Sequence, residues 1–277
     1  MKKFFKRFLL FVILPIVIFI AFMYGSTMYI RNWMPENFDY EDKTEHFNIS
    51  YNESEKGAIS DIKNHLENNY DRITTDLKQP MDKPVNIKIY PDLSSFHFAI
   101  NLRSGKYWWI NIFKEESSWV IGDTNPNNGI IRIVSPLNPG ASGFTYDEIL
   151  TATVHEFTHA VSLKISPDYM YNHIDPFRIT LDEGLAVYES GQGSMYEKVD
   201  SFNSTVLNAL PESIDMLSSL DQNRYMAGYS FVKYVIEKYG YDKIISLLKK
   251  DYSHKNYDDE TRQTYNEWVK YLKANQN

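Results

Sequence analysis

From Phe8 to Ile30 the chain runs 23 residues without a formal charge, dominated by Phe, Leu, Ile and Val. At about 1.5 Å of rise per residue, a helix of that length crosses a hydrocarbon core of roughly 30 Å, so the run is expected to be a transmembrane helix. Pro15 does not argue against this, because neighbours in a membrane span satisfy the carbonyl that a proline frees. Lys2, Lys3, Lys6 and Arg7 precede the run, and the positive-inside rule makes residues 1–7 a cytoplasmic tail and everything after the span extracytoplasmic. Around Tyr24-Gly25-Ser26-Thr27 the fit to a signal-peptidase site is poor, so residues 8–30 are expected to stay as a single-pass anchor in the cell membrane.

The chain has no cysteine, which excludes a disulfide-stapled module, a cysteine-ligated metal site and a cysteine nucleophile. Past the N-terminal segment, 25 basic residues face 36 acidic ones. That surface repels phosphate backbones, and nucleic acid is not an expected partner.

Residues 31–45 carry Pro35 and lack periodicity, and read as a stalk. A single folded domain is expected over 46–277. Strands are predicted at Phe47–Tyr51, Val85–Tyr90 and Ile130–Val134, and helices over Glu53–Leu77, Leu93–Leu102 and Tyr146–Ile165. The stretch Tyr107–Val120 has no clear period, and Gly122-Asp123 with Asn125 to Gly129 reads as a turn. Beyond 165 only helical patterns occur, at Leu181–Tyr188, Tyr225–Tyr239, Tyr241–Lys250 and Thr261–Lys273. Strands and helices first, then helices only, is the order of an α+β fold: a small mixed lobe over 46–165 and an all-helical lobe over 166–277. A cleft between the two lobes is the natural place for a site.

Chemistry concentrates on the helix near residue 155, in His155-Glu156-Phe157-Thr158-His159. Four residues turn a helix by about 400°, so the two imidazoles project from one face and can share a tetrahedral metal. Glu156 is displaced around the helix and reaches a water on that metal, the position of a general base. Two imidazoles with a carboxylate suit zinc better than magnesium or calcium. A catalytic zinc needs a third protein ligand and an open fourth position. Glu183, in Leu181-Asp182-Glu183-Gly184-Leu185-Ala186-Val187-Tyr188, lies far enough on for a loop and a returning helix.

The pair HEFTH and LDEGLAVYE resembles the gluzincin zinc metallopeptidases, and most closely the small bacterial peptidase MA-like proteins. The resemblance covers roughly residues 130–240. It implies a thermolysin-like arrangement of lobes, Zn2+ held by His155, His159 and Glu183, and Glu156 as general base for peptide-bond hydrolysis. It also implies a tyrosine that stabilises the oxyanion. Tyr225, in Tyr225-Met226-Ala227-Gly228, matches that feature, with Tyr229 as the competitor. The strand Ile130–Val134 is expected to edge the cleft and to pair with an extended peptide or protein substrate.

Two departures from related patterns stand out. Where a thermolysin-like enzyme has an Asp four residues after the glutamate ligand, this chain has Val187, which leaves the partner of a zinc histidine open among Asp182, Glu189 and a backbone carbonyl. Where true aminopeptidases carry a GxMEN-like segment, this chain has Ser135 to Gly140, so exopeptidase action is not implied. His46, His65, His97, His173 and His254 are scattered and read as ordinary histidines. The aromatic set Tyr107, Trp108, Trp109, Phe113 and Trp119 reads as packing. The alternative to an enzyme is a catalytically inactive metallopeptidase-like domain kept as a surface binding module.

Overall fold

Alternation of buried and half-exposed positions makes β2 (Phe47–Tyr51) and β3 (Val85–Tyr90), whose Phe47, Ile49, Ile87 and Ile89 are fully buried. The computed structural model describes residues 9–32, 36–103, 120–126, 128–138, 143–166, 175–199, 201–217, 223–252 and 255–276. Among them β1 (Tyr40–Lys43), β2, β3, β4 (Gly122–Thr124) and β5 (Ile131–Val134) form one sheet in the order β1-β2-β3-β5-β4. The three central strands run parallel, and β1 and β4 flank them antiparallel.

Two expectations about the strands change. Residues 40–43, read as stalk, are an edge strand: Tyr40 stacks on Tyr51 of β2, and Asp42 accepts hydrogen bonds from Lys63 and the Tyr51 hydroxyl. A polar outer strand lacks the apolar alternation that announces an inner one. The edge beside the cleft is β4, not the strand at 130–134. Residues 131–134 are buried on both faces between β3 and β4, while the turn signal at 122–123 belongs to a three-residue strand too short to show a period.

The N-terminal run is helical where it is described. It comprises a π-helical turn over Leu9–Ile13 and then α1 (Leu14–Asn32); among the described residues no helix is long and apolar enough to cross a membrane. Pro15 has no N–H to give to a helical ladder and stands where the two helix types meet. Tyr24, Gly25, Ser26 and Thr27 then dilute the apolar character of the second half.

Helix α2 (Lys56–Asp76) buries Ile59, Ile62, Leu66, Tyr70 and Ile73 at the spacing read from the sequence. After α3 (Leu93–Arg103) comes α4 (Tyr146–Ile165), whose Phe157 meets Phe47 of β2 and Tyr70 of α2 at ring-centroid distances of 5.2 and 5.6 Å. Both helices therefore pack on the sheet. Further helices follow: α5 (Pro176–Ser190), the short α6 (Gly193–Tyr196), α7 (Phe202–Ala209), α8 (Asn223–Tyr239), α9 (Tyr241–Leu248) and α10 (Asp259–Ala274). Trp268 of α10 is buried against Phe231 of α8 and donates to Ser230 at 3.1 Å. The architecture is mixed α+β, with the small sheet first and helices after it. The stretch Tyr107–Val120 lies outside the described residues as far as 119, as do the aromatic set, His173 and His254.

Candidate metal centre

Two helix starts and one backbone contact build the site. Thr145 and Glu148 cap α4 reciprocally: Glu148 donates its N–H to the threonine hydroxyl at 3.3 Å and accepts from the Thr145 N–H at 2.7 Å. The apolar positions of α4 then face the core and turn His155, Glu156 and His159 toward the opposite side. Asp175 caps α5 by accepting from the N–H groups of Phe177 and Arg178 at 2.9 and 3.0 Å, with Pro176 at the first helical position. This start lies well before the expected Leu181, because the capping pair carries no apolar signal.

Helices α5 and α8 touch backbone to backbone. A Cβ on Gly184 would lie 2.1 Å from the carbonyl carbon of Gly228, and one on Gly228 would lie 2.2 Å from the carbonyl oxygen of Thr180. Only glycine permits that approach. It brings Tyr225, one turn before Gly228, over His155, with ring centroids 6.2 Å apart.

The side chains of His155, His159 and Glu183 converge. Their Nε2, Nε2 and Oε2 atoms form a triangle with edges of 3.1, 3.3 and 3.4 Å. Donors about 2.0–2.1 Å from a tetrahedral zinc stand roughly 3.3–3.4 Å apart, so the triangle fits that ion. Each imidazole is held from behind: His159 Nδ1 lies 2.9 Å from Asp182 Oδ2, and His155 Nδ1 lies 2.9 Å from Gln192 Oε1. With both Nδ1 atoms committed to acceptors, both Nε2 atoms turn to one point, where positive charge is required.

The electrostatics follow from burial and from that demand. Burial acts against charge on His159, yet Asp182 and Glu183 outweigh it and hold the imidazole well above its usual value. Burial likewise raises the Asp182 and Glu183 carboxyls, and the histidines overcome it and hold both below the usual range. This charge balance favours a cation at the centre, and the group of His155, His159 and Glu183 could hold a metal ion. Glu156 differs: burial pushes its carboxyl upward against the pull of His159, His155 and the Thr124 hydroxyl. That hydroxyl lies 2.7 Å from Glu156 Oε2 and 2.9 Å from the Glu156 carbonyl oxygen. Gly122 stands beside the same carboxylate, where a Cβ would come within 2.6 Å of Oε1.

These groups line a cavity of about 250 Å³ together with Asp123, Leu163, Arg224 and Tyr225. Asp123 is joined to Arg132 on the neighbouring strand at 3.1 Å. Tyr225 and Tyr229 are separated by the geometry. Burial, and then the charge of Glu183, keep the Tyr225 hydroxyl protonated well past its usual pKa, and this side chain lines the cavity. Tyr229 turns away to donate to Glu197 at 2.7 Å.

All five residues singled out in the sequence, His155, Glu156, His159, Glu183 and Tyr225, are thus assembled here. Of the three partners left open for a zinc histidine, Asp182 reaches His159. Glu189 is buried elsewhere, against Arg72 and the Tyr241 hydroxyl. His46 is occupied by Glu67 at 2.6 Å. Thr124, Gly122 and Gln192 were not anticipated. The only signal for Gln192 was its place between two glycines.

A family model described as Peptidase MA superfamily matches residues 110–275, more than half of the chain. No curated protein matches.

Proposed function

The chain belongs to the Peptidase MA superfamily, and from that premise we propose that it is a zinc-dependent metallopeptidase acting on extended peptide or protein substrates. The observation that carries the reading is the triangle of His155, His159 and Glu183 donors, each histidine held in place by an acceptor behind it. Zinc bound there would supply a Lewis acid that polarises water and the scissile carbonyl.

The protein's own groups supply the rest. Glu156, poised by burial and by the Thr124 hydroxyl, takes a proton from the attacking water and hands it to the leaving amine. Tyr225 keeps its proton and donates a hydrogen bond to the carbonyl oxygen as negative charge develops there. The outer side of β4, the sheet edge at the cleft, is the place where an extended peptide pairs by backbone hydrogen bonds.

An extracytoplasmic position with attachment through the N-terminal segment is part of the proposal. It is supported by the basic cluster Lys2 to Arg7 and by the exposed apolar side chains of Phe11, Ile16, Phe19 and Phe22.

The test uses the purified chain, its zinc content by elemental analysis, and a peptide library. About one zinc per chain and cleavage of peptides are expected. Glu156→Gln should keep the zinc and lose turnover by on the order of 10²-fold to 10⁴-fold. Turnover that survives in this variant sinks the mechanism. Zinc without any cleavage in the wild type favours an inactive binding module.

A further inference from the structure

The turn that follows α5 has a role that the ligands do not exhaust. Gly191 ends the helix with φ +78°, a left-handed conformation that a side chain disfavours, and reverses the chain toward α4. Two residues on, Gly193 lies flat on the Tyr229 ring, where a Cβ would be 2.0 Å from Cε2. The ring itself is fixed, because its hydroxyl donates to Glu197, and Lys233 pairs with the same carboxylate. The backbone of Gln192 is therefore clamped on both sides. Its side chain crosses to α4 and places Oε1 2.9 Å from His155 Nδ1.

We propose that Gln192 is the positioning residue for His155: its amide oxygen accepts the Nδ1–H and leaves the Nε2 lone pair aimed at the metal position. The inference rests on the metallopeptidase reading. The helix that supplies Glu183 offers His155 no acceptor of its own, because one turn past the ligand it presents Val187, buried in the core. Asp182 is already committed to His159, and Ser162 donates to its second oxygen at 2.5 Å. The two histidines are thus held by different chemistry, His159 by a carboxylate and His155 by a neutral amide. An acceptor behind a ligating imidazole fixes its tautomer and ring orientation, and losing it weakens metal affinity about 10-fold to 100-fold.

The experiment titrates zinc into the metal-free full-length chain in competition with a chromogenic chelator, for the wild type, Gln192→Met and Gln192→Glu. Methionine keeps the side-chain volume and replaces the amide oxygen by a thioether, a far weaker acceptor, while glutamate keeps an oxygen acceptor at the same reach. Expected are a zinc Kd weakened about 10-fold to 100-fold in Gln192→Met and recovered in Gln192→Glu, with the melting temperature of the metal-free protein unchanged in both. Wild-type affinity in Gln192→Met overturns the assignment and leaves the three-ligand reading intact. A weakening that glutamate does not rescue, accompanied by a lowered melting temperature, assigns the residue to folding and also overturns it. A wild-type chain that takes up no zinc overturns both readings.

Discussion

The two walls of the cleft are made on different principles. On the helical wall, α4, α5 and α8 present His155, His159, Glu183 and Tyr225 by period, and backbone contact between Gly184 and Gly228 fixes how the helices meet. On the sheet wall, β4 contributes through what it lacks. Gly122 leaves room for the Glu156 carboxylate, and one hydroxyl, from Thr124, holds it. The helical wall thus carries the reactive groups, and the sheet wall determines where the Glu156 carboxylate rests. The base sits on one wall and is positioned by the other.

The largest effect should come from the seam of the helical wall. In Gly184→Ala the new Cβ meets backbone at 2.1 Å, and backbone cannot rotate out of the way. The helices must separate, with a loss of about 1–3 kcal/mol from overpacking and a marked loss of zinc affinity, read by thermal unfolding and metal titration. A variant that melts and binds zinc like the wild type would show that this contact does not set the wall. Next in size is Tyr225→Phe, which should lower kcat by about 10²-fold to 10³-fold with zinc retained. Tyr229→Phe, which loses only the bond to Glu197 away from the cavity, should lower kcat far less, and the reverse outcome would exchange the two tyrosines. On the sheet wall, Gly122→Ala crowds the Glu156 side chain from Cγ outward rather than backbone. Glu156 can swing aside, so zinc and stability should hold while kcat falls by roughly tenfold to a hundredfold. Loss of zinc in this variant would erase the distinction between the walls.

That distinction also explains what the sequence could reveal. The histidine pair and its base were legible because i, i+4 spacing on an apolar-backed helix is a local fact, and α4 runs over the residues its pattern indicates. The strands at 47–51 and 85–90, and α2 to within a turn, follow from the same kind of local period. Glu183 was reached from its distance after the histidine pair and from resemblance together, and Tyr225 from resemblance. Thr124 and Gln192 act on residues 32 and 37 positions away, and no local pattern carries such a contact. β1 is polar and β4 is three residues long, so neither shows alternation. α6 and α7 are short helices that the sequence reading passed over. For the N-terminal run the sequence offers composition alone, in which Pro15 and the Tyr24–Thr27 stretch interrupt and dilute the apolar content.

The smallest effect tests whether α4, the helix of the first wall whose base the second wall positions, is anchored independently of the cleft. At its first residue Tyr146 donates its hydroxyl to Asp61 of α2 at 2.7 Å, on the outer side of the sheet lobe and away from the cavity. Tyr146→Phe should lower stability by at most about 1 kcal/mol, the net worth of one such bond, and leave zinc affinity and kcat unchanged. Burial, followed by the Asp61 hydrogen bond, pushes the tyrosine pKa up to about 12. With the folded value above the unfolded value of 10, the contribution is fully present below pH 10 and disappears as pH rises through 12. Denaturant titrations of wild type and Tyr146→Phe at pH 8 and at pH 11.5 should therefore show a smaller advantage for the wild type at the higher pH. A variant that binds zinc less tightly at pH 8 would instead mean that the start of α4 sets the register of His155 and His159, and that the helical wall extends to the N-cap at Thr145.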